Sequence, residues 1–201
     1  MQYPDFFNHI NTIKLLDPLS SVLGTFDRGE LEISYLDVVK SSGHSCPTVA
    51  GAYLMSYHAL KRLYPDSPAV RGELRVQISQ GQEEGTVGVT SNVISIITGA
   101  ADKSGFKGLN GHFARHSLMS FHQDVPFIRF TRSDIQKSVD VFYDPSSISV
   151  DPKQMQLLQT ILEGQAKTEE KKEFAQLWQT RVKTILIENF DNDRIIRVKE
   201  V

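Results

Sequence analysis

Ser41-Ser42-Gly43-His44-Ser45-Cys46-Pro47 is the stretch on which the reading of this chain turns, because it separates two periodicities. Upstream, Leu31, Ile33 and Tyr35 alternate with Glu32 and Ser34, the pattern of a strand with one face buried. Downstream, Ala50, Tyr53, Leu54, Tyr57 and Leu60 recur at helical spacing, which predicts a helix starting at Pro47 and stopping before Pro65. With proline at the first helical position, Cys46 falls at the N-cap. There the unpaired backbone N–H groups and the positive end of the helix dipole converge. That setting favours a thiolate. His44 reaches the same spot from two residues away, and histidine with cysteine is a ligand pair for zinc and related ions. Gly43 permits a tight turn, while Gly51 and Ala52 permit close packing of the helix on a sheet.

Outward from this turn the chain mixes helix and strand signals. Phe6, Phe7, Ile10, Ile13 and Leu15 lie near helical spacing, and Asp17-Pro18 reads as a helix cap. Leu74, Val76 and Ile78 alternate cleanly with polar residues and predict a half-buried strand. Val93-Ile94-Ser95-Ile96-Ile97 fits a helix capped by Thr90 or Ser91 and ended by Gly99, and it also fits a buried strand. Residues 101–125 read as a glycine-containing loop, followed by a strand pair at Phe127–Thr131 and Val139–Tyr143. Asp151-Pro152-Lys153-Gln154 opens a helix ending near Gly164. Thr168 opens a longer one with Phe174, Leu177, Trp178, Val182, Ile185 and Leu186 on one stripe. Ile196 and Val198 alternate in the tail, which reads as a last strand or a frayed end. The expected class is α+β: a small mixed β-sheet packed against helices, with a C-terminal helical pair. No composition break marks a boundary; residues 1–27 are expected as a helical extension of an α+β domain over 28–201.

Composition narrows the function classes. The chain has 201 residues, a net charge of −2 and a single cysteine. One cysteine excludes an intramolecular disulfide or a cage of the chain's own thiolates. The near-neutral charge gives no bulk argument for nucleic acid. No apolar run approaches the ~20 residues of a membrane span. The first residues lack the basic-then-apolar pattern of a secretory signal, so a cytoplasmic setting is expected.

Gly43-His44-Ser45-Cys46-Pro47, with the small-residue helix Ala50-Gly51-Ala52 after it, resembles the Gly-His-x-Cys-Pro signature of the FmdE-like family, named for a component of formylmethanofuran dehydrogenase. Asn92-Val93-Ile94-Ser95-Ile96-Ile97-Thr98-Gly99-Ala100 is similar to the family's Asp-Ala-Ile-Gln-x-x-Thr-Gly-Cys stretch, and Gly105-Phe106-Lys107-Gly108 to its Gly-Lys-Gly turn. Gly164-x-Ala-x-x-Glu-Glu resembles the start of its C-terminal helix pair, so the likeness spans about residues 30–188. The resemblance implies an α+β core, a pocket holding His44 and Cys46, and a metal site there. The chain departs from the family at Asn92, which stands for an acid, at Val89 and Ala100, which stand for cysteines, and at Thr48, which stands for glycine.

His112 and His116 would share a face if their segment were helical. With His44 and Cys46 they would form a four-ligand site suited to zinc, or to nickel, cobalt or iron. His58 lies about three turns along the helix, too far to join, and His9 and His122 read as surface residues. Lys107 and Arg115, with Lys103, make the glycine loop locally basic, which suits a phosphate or carboxylate on a small ligand. Gly81-Gln82-Glu83-Glu84-Gly85-Thr86-Val87-Gly88 precedes a helix candidate and could cradle an anion, or bring Glu83 or Glu84 to Cys46 as an acid/base group. Three functions stay open. The first is a metal-binding protein with His44 and Cys46 as ligands, serving as an enzyme or as a redox or accessory subunit of a metal-cofactor oxidoreductase. The second is a metal-free enzyme in which His44 activates Cys46 as the catalytic nucleophile. The third is a non-catalytic subunit binding a small ligand or a partner. A small molecule in the His/Cys pocket and a homodimer are expected, with no nucleic acid and no membrane.

Overall fold

The computed structural model describes residues 2–122 and 127–201 and has an α+β fold. Two sheets carry the strands. In the first, β1 (Ile13–Leu16) lies between β2 (Glu30–Ile33), antiparallel to it, and the short β3 (Ala69–Val70), parallel to it. The second has the order β5 (Met119–Phe121), β4 (Leu74–Ile78), β6 (Ile128–Arg132), β7 (Lys137–Tyr143), β8 (Ile196–Glu200). All its pairs are antiparallel except β4 with β5.

A buried helix joins the layers. Helix α3 (Pro47–Leu63) packs against α4 (Val87–Thr98) and against β7 and β8. Val49, Ala50, Ala52, Tyr53, Leu54 and Ala59 of α3 are fully buried. The small residues let neighbours approach: the ring of Tyr143 lies so close to Gly51 that a Cβ there would stand 2.2 Å from it. Helices α5 (Pro152–Leu162) and α6 (Thr168–Lys183) pack on each other, and α6 runs into a π-turn at Thr184–Glu188 that reaches α3. Among the described residues, no helix is long and apolar enough to cross a membrane.

Several sequence expectations hold in place. The helix at Pro47, the strand at Leu74, the antiparallel pair β6–β7, the Asp17 and Asp151 caps and the C-terminal helix pair are all present. The tail is a strand on β7. Val93–Ile97 belongs to a helix, α4, which begins at Val87, earlier than the Thr90 or Ser91 cap predicts, and ends on left-handed Gly99. Two readings are corrected. Ile13 and Leu15 belong to β1, because β2 and β3 flank that segment and satisfy its backbone. With β1 inside them, residues 1–27 are not purely helical, and Phe7, Ile10, Ile13 and Leu15 enter the common core. Tyr35 ends no strand; it opens α2 (Tyr35–Ser42), because Ser34 and Asp37 form a reciprocal capping box. Of the loop expected at 101–125, residues 123–125 lie outside the described residues, and β5 occupies part of the rest.

Candidate functional site

The turn between α2 and α3 is built from its caps. Gly43 closes α2 in the left-handed conformation, φ 75°, which a side chain would oppose. Cys46 is the N-cap of α3, as its spacing predicts, and its Sγ accepts the Val49 N–H at 3.4 Å. The sulfur is half-buried at the edge of the core.

Ser45, between His44 and Cys46, is held from far along the chain. The indole of Trp178 donates to its carbonyl at 2.9 Å, and the Gln179 amide donates to the same oxygen at 3.3 Å. The Ser45 hydroxyl donates to Gln179 Oε1 at 3.2 Å. A serine has one hydroxyl proton, so the 2.9 Å contact with Tyr35 is donated by the phenol. On the other side, the Tyr143 phenol donates to the Pro47 carbonyl at 2.8 Å. Burial pushes both phenols far above their ordinary range, so they act as neutral donors at physiological pH. Arg181 stands near Tyr143 with its Nε buried and without a hydrogen-bond partner among the described residues.

His44 is exposed, and its Nδ1 lies 2.9 Å from the Ser42 carbonyl. A carbonyl only accepts, so Nδ1 carries the proton and neutral His44 presents a bare Nε2. His44 lines a cleft of ≈ 310 Å³ with Ser42, Val89, Asn92, Ser95 and others. The turn thus meets α4 at Asn92, the position where the family it resembles carries an acid.

The other expected ligands lie elsewhere. The 111–116 segment is not helical: Asn110 and Phe113 have positive φ, and Leu109 and His112 exchange backbone hydrogen bonds in a turn. The shared helical face of His112 and His116 therefore does not form. His112 is exposed, and His116 Nδ1 contacts the Ser117 hydroxyl at 3.1 Å. Among the described residues, no three His, Cys, Asp or Glu side chains are grouped to hold a metal ion, so His44, Cys46, His112 and His116 are not assembled into one site.

Arg115 is also corrected. It is buried, and its Nη2 bonds Asp17 Oδ1 at 2.6 Å. Its guanidinium fills the space beside Gly72 and Gly99, where added Cβ atoms would meet it at 2.2 and 2.8 Å. The Asp17 bond and this packing tie it into the fold. Lys107 is exposed, as are His9 and His122. Gln82 of the 81–88 loop bonds Asp102, and Glu83 is exposed. His58 bonds the Phe190 carbonyl at 2.8 Å, away from the turn.

Sequence reasoning misses Tyr35, Tyr143, Gln179 and Arg181 around the turn. Trp178 is legible as part of a helical stripe, but nothing in the stripe pairs it with residue 45. Compared with known proteins, the chain matches no family model, and no curated protein matches it significantly.

Proposed function

We propose that the chain is an FmdE-like protein that binds a divalent metal ion, zinc first, through His44 and Cys46. One observation carries this reading: the His44–Cys46 turn is hydrogen-bonded to α6, Tyr35 and Tyr143, while His44 Nε2 has no hydrogen-bond partner among the described residues. A backbone carbonyl on the second ring nitrogen is the usual way a ligating histidine is oriented. The Val49 N–H donates to the Cys46 sulfur and fixes its orientation at the cap. Asn92, which lines the same cleft as His44, offers a neutral amide oxygen as a further donor. Bound there, the ion would supply Lewis acidity to a small molecule. Water, that molecule or a second copy of the chain would complete its coordination, as an accessory or redox subunit that works as a homodimer would allow. The reading carries a cytoplasmic setting, where a lone thiol stays reduced.

The test is metal analysis of protein purified without a nickel column. About one zinc per chain is expected, with loss in Cys46→Ser and His44→Ala and a lower Tm on chelation. No metal in any preparation, with melting unchanged by chelator, would overturn the proposal. Metal retained by both variants would overturn the ligand assignment.

A further inference from the structure

Strand β8 is an edge of the five-stranded sheet: β7 pairs with one side of it, and no strand pairs with the other among the described residues. The ladder shows which of its backbone groups point outward. The Asp144 N–H donates to the Ile195 carbonyl, and the Val201 N–H donates to the Ser138 carbonyl. Bonded pairs alternate along an antiparallel ladder, so Arg197 and Lys199 also turn their backbone groups to β7, while Ile196, Val198 and Glu200 turn theirs out. The Ile196 N–H donates to the Asn192 carbonyl at 3.0 Å. Those of Val198 and Glu200 have no backbone partner among the described residues and form a template for a further strand.

Side chains give this edge a preference. Tyr143 of β7 lies against Gly51 of α3, so Asp140 and Phe142, at odd spacing from it, face away from α3. Register sets Lys199 beside Asp140 and Arg197 beside Phe142 on that face. Arg129 of β6 already binds Asp140 through two hydrogen bonds, of 2.7 and 2.9 Å. The row Arg129, Asp140, Lys199 therefore ends on an unanswered cation at the open edge. Arg197 and Lys199 are exposed and form no ion pair among the described residues. Asp144 senses Arg197, but its carboxylate bonds Ser146. On the α3 side of the strand, Ile196 and Val198 line a cleft of ≈ 550 Å³ that shares no lining residue with the cleft at His44. Lys61, Arg62 and Lys137 line it as well, and Asp191, Asp193 and Glu200 offset them, so this side favours an apolar group over a charged one.

From the outward N–H groups of Val198 and Glu200, the charge row that ends on Lys199 and the cleft behind Val198, we propose that β8 captures an extended segment of a partner protein with the pattern acid–apolar–acid. The apolar side chain lies opposite Val198 and enters the cleft. The acids lie opposite Arg197 and Lys199, and main-chain bonds to Val198 and Glu200 hold the segment as a sixth strand. A second copy of this chain fits worse. Two-fold pairing of β8 with itself sets outward residues opposite each other, so the residues between them also meet. In registers centred on Arg197, Val198 or Lys199, which keep most of the strand paired, like charges then stand face to face. The site does not depend on metal binding at His44 and Cys46.

The probes are the fluorescein-labelled peptide Ser-Glu-Val-Glu-Val-Glu-Ser, its counterpart with lysine for each glutamate, and an acidic peptide of the same composition with the valines adjacent. Each is titrated into the full chain by fluorescence anisotropy at low salt. The alternating acidic peptide is expected to saturate one site and to bind about tenfold tighter than either of the others. Combining Arg197→Glu with Lys199→Glu should reverse the order of the acidic and basic peptides. Val198→Pro removes an outward N–H and no bond to β7, so the fold should persist while binding is lost. Amide exchange at Val198 and Glu200 should slow when the acidic peptide is added. Equal affinity for all three peptides, no binding of the acidic one, or acidic binding kept by Val198→Pro would each overturn the proposal. So would a free chain that sediments as a dimer and becomes a monomer in Val198→Pro, because a second copy would then hold the edge.

Discussion

A methyl group on Gly51 has no room. Its Cβ would stand 2.2 to 2.6 Å from three atoms of the Tyr143 ring, and a ring held by a hydrogen bond to Pro47 cannot swing aside freely. Gly51→Ala is therefore expected to cost about 1–3 kcal/mol by overpacking and to free the Tyr143 phenol, with denaturant unfolding and near-ultraviolet tyrosine signals as readouts. An unchanged midpoint would mean that β7 and α3 can separate at no cost. His58 makes a different prediction. Burial lowers its pKa below the ordinary ~6.5, against the raising effects of the Phe190 carbonyl and Asp191. The unfolded chain then binds a proton that the folded one resists, so the stability tied to His58 is complete above ~6.5 and is lost as pH falls below it. His58→Gln should flatten that part of the pH–stability curve. A slope identical to the parent's between pH 7 and 5 would remove His58 as its source.

Helix α6 reaches the His44–Cys46 turn from far along the chain. It places Trp178 and Gln179 on Ser45 through three hydrogen bonds. Gln179→Leu removes two of them, and a loss of about 1–2 kcal/mol is expected, together with faster alkylation of the half-buried Cys46 by iodoacetamide at fixed pH. Unchanged rate and midpoint would show that α3 alone fixes the turn. At this scale the sequence is legible wherever the signal is local. Proline at the start of α3, Asp17 and Asp151 at their caps, Gly99 beyond α4 and the alternation of β4 need only their neighbours. Tyr35 misleads because three alternating residues fit a strand as well as the approach to a capped helix, and the Ser34–Asp37 box decides for the helix. Ile13 and Leu15 mislead because the strands that recruit them are β2 and the distant β3. For the site, Cys46 at its cap and His44 beside it are legible from spacing. Gln179 and Tyr143 are not, since contacts across 134 and 96 residues leave no periodic trace.

One ionic hub ties together the small sheet, α4 and the loop after it, and so bears on the whole molecule. Asp17 caps α1 (Pro18–Val22) through the Leu19 and Ser20 amides, and the same carboxylate takes Arg71 and Arg115, each at 2.6 Å. Arg71 also donates to the carbonyls of Ile96 and Ile97 at the end of α4. Arg115 anchors the loop that carries Lys107, His112 and His116. Burial lowers the Arg115 pKa, with Asp17 opposing the shift, and one of its terminal nitrogens has no partner among the described residues. One carboxylate thus holds two largely buried cations, and the three members are unequal. Asp17→Asn leaves both guanidinium groups without a counter-charge and should cost about 3–5 kcal/mol, as expected for breaking a buried ionic group from one side. Arg115→Met leaves Asp17 paired with Arg71 and removes a buried charge with an unsatisfied N–H, so its cost should be smaller, under about 2 kcal/mol. Denaturant unfolding of the two variants checks the order. If Arg115→Met proved the more damaging, the hub would be organised around Arg115 and the loop it anchors, and the cap at Asp17 would be secondary.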